Sequence, residues 1–334
     1  MAGLFGGLGA THRALYRIGW LKAQRLPVPV IVVGNLVVGG AGKTPTTIAL
    51  VQALQQRGYT PGIVSRGYGR SADGLVDVRP DSAVGDAGDE PLLLRLRAGV
   101  PVLVGRDRAA AGRELLRRHP AVDVLVSDDG LQHHRLARDL QVLVFDERGA
   151  GNGWLLPAGP LREPMRAAPP PASLVLYNAT AASTPWPGFV ARRSLAGVTG
   201  LADWWSGRAP SLEALAALRV RPLHAVAGLA RPERFFDMLR AQGLSVQTLA
   251  LPDHDAFTSL PWPADASDVI VTEKDAVKLQ PTRVGTTRIW VATLDFRFDL
   301  GFEAALDAAL RQHLPPPRRP APSLPNNDHG NTPA

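Results

Sequence analysis

A glycine-rich run that ends in a lysine and a threonine carries the clearest chemical signal in the chain. It reads Val37-Val38-Gly39-Gly40-Ala41-Gly42-Lys43-Thr44. The backbone N–H groups of such a run can surround phosphates, the Lys43 ammonium can reach the terminal phosphates, and the Thr44 hydroxyl can hold Mg²⁺. The sequence therefore predicts a nucleotide-binding site in which this run is the phosphate loop.

The segments on either side of the phosphate loop fit this interpretation. Residues 28–33 precede it with the composition of a buried strand, and Pro45 follows where a first helical turn tolerates proline. Val37 stands where the common pattern has glycine, so Gly39 and Gly40 would supply the flexibility of the turn. A chance Gly-Lys-Thr in a glycine-rich loop is the alternative, and the flanking strand and helix make it the weaker one.

A pair of carboxylates follows a second apolar segment. Residues 122–127 lead into Asp128, Asp129 and a glycine, so a strand would deliver these carboxylates at its carboxyl end. That is the placement a second Mg²⁺-binding element needs beside a phosphate loop. The alternative is an Asp-Gly turn with solvated side chains. His133 and His134 come next, and with no cysteine or spaced histidine partner they fit surface or packing positions better than a zinc site.

The composition limits the class of protein. The 334 residues include no cysteine, which excludes disulfides and thiolate sites and fits a reducing compartment. The net charge is +7, and eight of the 37 basic residues precede Asp73, the first of the 30 acidic residues. The excess of positive charge therefore lies in the first 72 residues. No helix-turn-helix, zinc-finger or RNA-recognition pattern accompanies it, so we expect no nucleic-acid partner.

The first part of this basic region has a two-faced helical pattern over residues 4–26. Its basic stripe consists of Arg13, Arg17 and Arg25, and its apolar face consists of Leu8, Leu15 and Ile18 with Tyr16 at the border. Trp20 lies between the faces, which suits a lipid headgroup boundary. The pattern predicts a helix lying in the interface of an anionic membrane. A surface helix that docks its apolar side on the protein is the alternative. No signal peptide or spanning helix is predicted.

Short apolar segments alternate with helical ones along the rest of the chain. The predicted strands of the first half are 28–33, 62–65, 100–104, 122–127, 141–145 and 174–177, and the helices are 46–57, 90–97 and 106–118. A second set has strands 223–227, 245–249, 269–272 and 289–292, with helices 233–242 and 303–313. We therefore predict an α/β fold in which a P-loop NTPase-type α/β/α domain is joined to a second, smaller α/β domain and an N-terminal amphipathic helix.

Seven short motifs occur in a consistent order. They are VGNLVVGGAGKTP (33–45), SRGYG (65–69), GDEP (88–91), DDGLQH (128–133), PAGPLREP (157–164), DHDAF (253–257) and TEKDAVK (272–278). Together they resemble the tetraacyldisaccharide 4'-kinase family, the lipid A 4'-kinases, over roughly residues 10–312. The resemblance implies transfer of the γ-phosphate of ATP to the 4'-hydroxyl of a tetraacylated glucosamine disaccharide 1-phosphate.

The resemblance also implies roles for individual residues. Asp89 becomes the general base that activates the acceptor hydroxyl, and His254 supports it, whereas the residues alone equally allow Asp89 to be a helix N-cap. Lys43 would neutralise the transferred phosphoryl group, and Thr44 with Asp128 or Asp129 would hold Mg²⁺. The candidates for gripping the glycolipid are Arg66, Tyr68, Arg162 and Glu163, with structural roles in loops as the alternative.

The implied organisation has four parts. They are a membrane-interface helix (1–27), a P-loop kinase domain (28–190), a smaller α/β domain (191–313) and a disordered, proline-rich tail (314–334). The implied location is the cytoplasmic face of the bacterial inner membrane, with peripheral attachment, and no obligate protein partner is expected.

Some residues depart from the family pattern. Val37 and Ala41 replace hydroxyl residues, Leu131 replaces a frequent phenylalanine, and Asp255 stands where histidine or tyrosine is common. Two other functions stay open on the sequence: a membrane-cycling P-loop ATPase switch, and a soluble kinase or ligase of small metabolites. Residues 272–275 also weakly resemble the base-recognition loops of GTP-binding proteins.

Overall fold

A large, mostly parallel sheet forms the first half of the molecule. The computed structural model describes residues 2–318. The strands of this sheet are β1 (Val30–Gly34), β2 (Pro61–Ser65), β3 (Val76–Val78), β4 (Val102–Val104), β5 (Val124–Asp128), β6 (Leu140–Asp146), β7 (Ser173–Asn178) and β8 (Phe189–Val190). Their spatial order is β3-β4-β2-β5-β1-β6-β7-β8, and only β3 runs antiparallel to its neighbour. Every residue of β1, β5 and β6 is buried, as expected of strands covered on both faces.

Helices cover both faces of the large sheet. They include α2 (Lys43–Gln56), α3 (Val84–Ala87), α4 (Asp89–Ala98) and α5 (Arg108–Arg118), and α1 (Ala2–Arg17) precedes β1. Helix α2 begins directly at the end of the phosphate loop, and α4 begins at Asp89. Both helix N-termini therefore point their unpaired N–H groups toward the same region as the carboxyl ends of β1 and β5.

A second, five-stranded sheet follows. Its strands are β9 (Arg192–Gly200), β10 (Leu223–Ala227), β11 (Val246–Ala250), β12 (Asp268–Thr272) and β13 (Arg288–Arg297), in the order β11-β10-β12-β13-β9. The helices in this part of the chain are α6 (Leu201–Trp205), α7 (Leu212–Ala217), α8 (Glu233–Ala241) and α9 (Glu273–Ala276), and α10 (Leu300–His313) follows β13. Strand β9 is antiparallel to β13, and the other neighbours are parallel.

The predicted fold class is confirmed, and each predicted strand and helix of the two sheets has a counterpart within a few residues. The elements that the sequence did not predict are short or mixed in polarity. Strand β9 mixes exposed, half-buried and buried residues and contains two arginines and two glycines, so it lacks the continuous apolar run that predicts a parallel strand. Strands β3 and β8 have only three and two residues.

The N-terminal helix is shorter than predicted. Helix α1 ends at Arg17, and Gly19 follows with φ +79°, a left-handed conformation that favours helix termination. Arg25 therefore does not belong to a helical stripe; it lies beyond the helix and pairs with Asp139 at 2.6 Å. Ile18 and Trp20, just after the helix, are 70% and 82% exposed. Among residues 2–318, no helix combines the length and apolarity needed to cross a bilayer.

The C-terminal part of the described chain returns to the large sheet. Helix α10 packs on β7 and β8, and Arg57 of α2 donates to Glu303 and Asp307 at 2.6 Å each. Leu314 is buried, and the Pro315 carbonyl accepts a hydrogen bond from Tyr59 at 2.9 Å. Helix α10, which the predicted smaller domain (191–313) includes, therefore contacts the large sheet. Residues 314–318 of the predicted tail are described, and residues 319–334 lie outside those described.

Candidate active site

A cavity of about 1120 Å³ lies between the two sheets. The phosphate loop, the start of α2 and the end of β5 line it from the large sheet, and residues 229–238, 253–254 and 272–274 line it from the small sheet. The carboxyl ends of parallel strands meet at this edge, where ligands bind in open α/β sheets. The cavity is therefore the candidate active site.

Two buried asparagines hold the phosphate loop in shape. Asn35 Nδ2 donates to the Val37 carbonyl at 2.6 Å, and Lys43 Nζ donates to Asn35 Oδ1 at 3.3 Å. Asn178, at the end of β7, donates to the Ala41 carbonyl at 3.1 Å. Neither asparagine was predicted to have this role, although a polar residue at the carboxyl end of an apolar strand is a usable signal.

The residue that replaces glycine in the loop has a structural role. Val37 is completely buried and forms an antiparallel bridge with Leu161, while the Val38 N–H donates to the Pro160 carbonyl at 2.9 Å. The PAGPLREP segment therefore braces the start of the loop. The conformational freedom resides further along, where Gly39 and Gly42 have φ near +90°.

The two carboxylates after β5 have different environments. Asp128 is 2% exposed and accepts hydrogen bonds from the Thr47 hydroxyl at 2.9 Å and the Ser65 hydroxyl at 3.4 Å. Burial, with the negative charges of Glu90 and Asp129, raises the pKa of Asp128 to about 7. Asp129 is more accessible and faces the loop lysine, with 3.7 Å between Lys43 Nζ and its Oδ1.

These residues suit a magnesium ion. Hydroxyl and carboxylate oxygens are the ligands that Mg²⁺ prefers, and Thr44, Asp128 and Asp129 all line the cavity. The crowding of negative charge that raises the pKa of Asp128 is also what a divalent cation would relieve. The donor set therefore fits the ion implied by the resemblance.

Asp89 and His254 form a hydrogen-bonded pair at the wall of the cavity, which His254 lines. Asp89 is 5% exposed at the start of α4, and its Oδ2 lies 2.8 Å from His254 Nδ1. An ionised carboxylate can only accept, so Nδ1 carries the proton. Burial raises the pKa of Asp89, but the His254 hydrogen bond and the Lys274 charge outweigh it, so the pKa lies below its usual value.

Lys274 completes this arrangement. Its Nζ lies 3.3 Å from His254 Nε2, 3.1 Å from Asp253 and 3.4 Å from Glu90. Burial lowers the pKa of Lys274, but the charges of Glu90, Asp89 and Asp253 raise it further than burial lowers it, so the ammonium stays charged. The hydrogen bond to Asp89 raises the pKa of His254 more than burial and Lys274 lower it.

Three of the four candidate substrate residues line the cavity. They are Arg66, Tyr68 and Arg162. The Tyr68 ring is 63% exposed and its centroid lies 5.2 Å from that of His254. Arg162 donates to Asp129 at 3.0 Å. Glu163 does not line this cavity; it accepts from Gln132 at 3.0 Å and faces a smaller cavity of about 310 Å³ beside Tyr16.

The two histidines after Asp129 have different environments, because His133 lines the cavity and His134 does not. Burial, with the charge of Arg108, lowers the pKa of His133 to about 4, so its ring stays neutral. The His134 ring packs against His12 and Tyr16 of α1. Arg108, which the sequence analysis did not single out, lines the cavity and donates to the Asp129 carbonyl at 3.1 Å.

A phosphate loop beside a carboxylate-bearing strand, opposite a carboxylate–imidazole pair, defines a P-loop phosphotransferase. The family profile for tetraacyldisaccharide-1-P 4'-kinase matches residues 1–312. Relatives named tetraacyldisaccharide 4'-kinase include those of Methylibium petroleiphilum, 56% identical over 93% of this chain and 88% of its own, and Leptothrix cholodnii, 56% identical over 96% and 92%. The chain belongs to the tetraacyldisaccharide-1-P 4'-kinase family and is a kinase.

A solved structure of lower identity has the same fold. It is LpxK from Aquifex aeolicus in complex with ATP, which is 28% identical, covers 94% of this chain and 97% of its own, and has a TM-score of 0.77. The family resemblance and the fold expected from the sequence are thus confirmed.

Replacing Gly42 should abolish tight nucleotide binding. Its φ of +89° is unfavourable for a side chain, and a Cβ there would overlap the Asn178 amide. We expect Gly42→Ala to weaken ATP binding by at least about tenfold, measured by titration calorimetry. Gly40→Ala is the matched control, because its Cβ would lie 3.6 Å from Ala230, an ordinary contact. Equal affinities of the two variants would contradict the role assigned to Gly42.

The Asp89–His254 pair should stabilise the fold most between about pH 4 and pH 6.5. Because the His254 pKa is raised in the folded protein, its contribution to stability is lost as the pH rises through that pKa. Because the Asp89 pKa is lowered, its contribution to stability is lost as the pH falls through that pKa. We expect His254→Gln to lower the free energy of unfolding by about 1–2 kcal/mol at pH 5.5 and by less at pH 9, in urea titrations. A deficit that does not change with pH would refute the ion pair.

Proposed function

We propose that this chain transfers the γ-phosphate of ATP to the 4'-hydroxyl of a tetraacylated glucosamine disaccharide 1-phosphate, in lipid A biosynthesis. The names of the curated relatives and the ATP in the Aquifex aeolicus structure support the substrates. One observation carries the reaction: Lys43 of the phosphate loop and His254 line the same cavity, and His254 is hydrogen-bonded to the buried Asp89 directly behind it. A phosphoryl donor and an activated hydroxyl can therefore meet there.

Asp89 is the proposed general base. The hydroxyl oxygen of the acceptor forms a bond to the γ-phosphorus, the bond from that phosphorus to the bridging oxygen breaks, and the hydroxyl proton passes to Asp89. Oδ1 of Asp89 accepts from the Glu90 N–H at 2.8 Å and Oδ2 from His254, and each oxygen keeps a lone pair for the acceptor hydroxyl. Most of the rate acceleration in such reactions comes from positioning and electrostatics.

His254 is better suited to support the base than to replace it. Its Nδ1 is committed to Asp89, and its Nε2 faces the Lys274 ammonium, which can only donate. When His254 is neutral, its Nε2 accepts from Lys274 while its Nδ1 donates to Asp89; when it is protonated, Nδ1 still donates to Asp89 and the two form an ion pair. This chain of hydrogen bonds fixes the carboxylate and keeps it ionised. Asp89 is not the N-cap of α4; Gly88 holds that position, and Asp89 lies in the first turn, where the helix dipole also favours its charge.

Thr44, Asp128 and Asp129 would hold Mg²⁺, which, when bound with ATP, neutralises charge on the phosphates. Lys43 adds its own charge at the terminal phosphate. Arg66 and Tyr68, on the Asp89 side of the cavity, and Arg162 are the proposed contacts to the disaccharide or its 1-phosphate. Glu163 is a less direct candidate, because Gln132 lies between it and the cavity.

Transfer of label from [γ-³²P]ATP to a tetraacylated disaccharide 1-phosphate tests the function. Asp89→Asn should lower kcat by about 10²–10⁴-fold and change the apparent KM for the acceptor much less, because the lost group acts on the reacting proton. Lys43→Ala should also lose turnover. A loss of acceptor affinity alone in Asp89→Asn would make Asp89 a binding residue. Hydrolysis of ATP without labelled lipid would favour the ATPase switch instead.

We also propose that the protein attaches peripherally to an anionic membrane at the cytoplasmic face. The support is the position of Ile18 and Trp20, two strongly exposed apolar side chains that directly follow α1. The side chains of Leu8, Arg13 and Arg17 lie outside those described, so their contacts carry no part of this proposal. Burial of exposed apolar side chains together with nearby basic residues is the usual route to interfacial binding.

Vesicle co-sedimentation tests this attachment. With vesicles containing an anionic phospholipid, Trp20→Ala combined with Ile18→Ser should reduce the bound fraction several-fold, because about 1.5–3 kcal/mol is gained when such a side chain leaves water. Val220→Ser is the control, since Val220 is 90% exposed on the other half of the molecule. Arg25→Ala should have little effect, because Arg25 already pairs with Asp139. Equal retention of all variants would exclude this surface.

A further inference from the structure

Four arginines surround two carboxylates beside the phosphate loop. Asp146 ends β6, and Glu147 and Arg148 follow it. The other three arginines come from the second half of the chain: Arg193 from β9, and Arg231 and Arg234 from the start of α8 and the residues before it. Within this arginine cluster the formal charge is +2, so it holds more positive charge than its own carboxylates neutralise.

Arg148 forms hydrogen bonds with both carboxylate oxygens of Asp146. Its side chain is completely buried, and its two oxygens accept from Arg148 Nε at 3.1 and 2.9 Å, while the Arg148 N–H donates to Oδ1 at 3.0 Å. Arg231 and Arg234 approach this carboxylate only to 3.7 and 3.6 Å. Asp146 therefore neutralises Arg148 more than it neutralises Arg231 or Arg234.

Glu147 is then the main counter-ion of the three arginines from the small sheet. Arg231 lies 3.3 Å from it, Arg193 lies 3.7 Å away, and Arg234 also pairs with it. Burial, and to a smaller extent the charge of Arg231, lowers the pKa of Arg193.

The surplus charge is directed at the nucleotide site. Arg193, Arg231 and Arg234 line the same cavity as Lys43. Arg148 Nη1 donates to the Val38 carbonyl at 3.1 Å, and its guanidinium lies against Gly39. Ala230 lies against Gly40, so Arg231 is adjacent to the loop whose N–H groups surround phosphates.

We propose that Arg231 and Arg234 form a second phosphate-binding element, in which the small sheet supplies two guanidinium groups to the polyphosphate chain of ATP held by the loop. Glu147 occupies these arginines until the nucleotide binds and is then exchanged for phosphate oxygens. This inference rests on ATP being the phosphoryl donor. Guanidinium groups bind phosphate oxygens in bidentate geometry, and arginines brought to a phosphate loop from another part of a protein stabilise transferred phosphoryl groups.

The competing interpretation is that the cluster is an ion-pair brace between the sheets. The two interpretations differ in what Glu147 does. In an ion-pair brace, removing either Glu147 or the arginines weakens the contact between the sheets in the same way. If Glu147 instead competes with phosphate for the arginines, its presence weakens nucleotide binding. If Glu147 competes with phosphate, neutralising Glu147 raises the affinity for ATP, whereas neutralising the arginines lowers it. A measurement of ATP affinity can distinguish these opposite changes.

The experiment measures the Kd for ATP by titration calorimetry, together with Tm, for Arg231→Ala, Arg234→Gln, the double variant and Glu147→Gln. We expect each arginine variant to bind ATP about 10–100-fold more weakly, the loss to be greater in the double variant, and Glu147→Gln to bind ATP more tightly. Arg240→Ala is the control, because Arg240 lies on the same helix and pairs only locally, with Asp237 and Glu233.

Two results would overturn the proposal: an ATP affinity within twofold of wild type in the double variant with the Tm retained, or an affinity in Glu147→Gln that is unchanged or lower. Arg231→Lys keeps the positive charge and serves as a control for misfolding. Its affinity for ATP should lie between those of Arg231→Ala and the wild type, because lysine lacks the bidentate guanidinium. Labelled phosphoryl transfer by the wild-type chain is scored separately, so failure of the arginine site would leave the kinase function standing.

Discussion

The hydrogen bond between Asp89 and His254 is the contact on which the site depends. Its partners are 165 residues apart in the chain and belong to different sheets, Asp89 to the start of α4 and His254 to the loop after β11. The proposed base is therefore complete only when the two sheets have their observed relative position. Lys274, which contacts Glu90 as well as His254 and Asp253, reinforces the same junction.

The phosphate loop depends on contacts that are equally remote in sequence. Asn178 is 137 residues from the Ala41 carbonyl that it holds, and Arg148 is 110 residues from the Val38 carbonyl. Backbone carbonyls turned outward in this way leave the N–H groups of the loop free to face a ligand. The loop is thus shaped by β6, β7 and the PAGPLREP segment as much as by its own glycines.

The sequence predicted those parts of the fold that are visible in local patterns. The apolar runs of β1, β5 and β6 and the glycines of the phosphate loop are of this kind, because the periodicity of burial and the need for positive φ act over a few residues. The roles proposed for Asp89 and His254 came from the family resemblance, and the candidate magnesium ligands came from their positions at the phosphate loop and at the end of an apolar strand. Arg25 was misplaced because its partner, Asp139, is 114 residues away and no periodicity reports it. Asn178 and the arginines at α8 were missed for the same reason: their role comes from the meeting of the two sheets.

The path of the chain between the sheets has a mechanical consequence. The chain leaves the large sheet after β8, enters β9, and returns from β13 to α10, and Arg192 and Arg297 pair where these two crossings lie side by side. The small sheet is thus an insertion attached at one place by an antiparallel ribbon. Any change in the width of the cleft must bend this ribbon, since no second attachment through the backbone exists within residues 30–313 to resist rotation. The side chains that meet across the cleft, rather than the backbone, therefore set the distance between the proposed base and the phosphate loop.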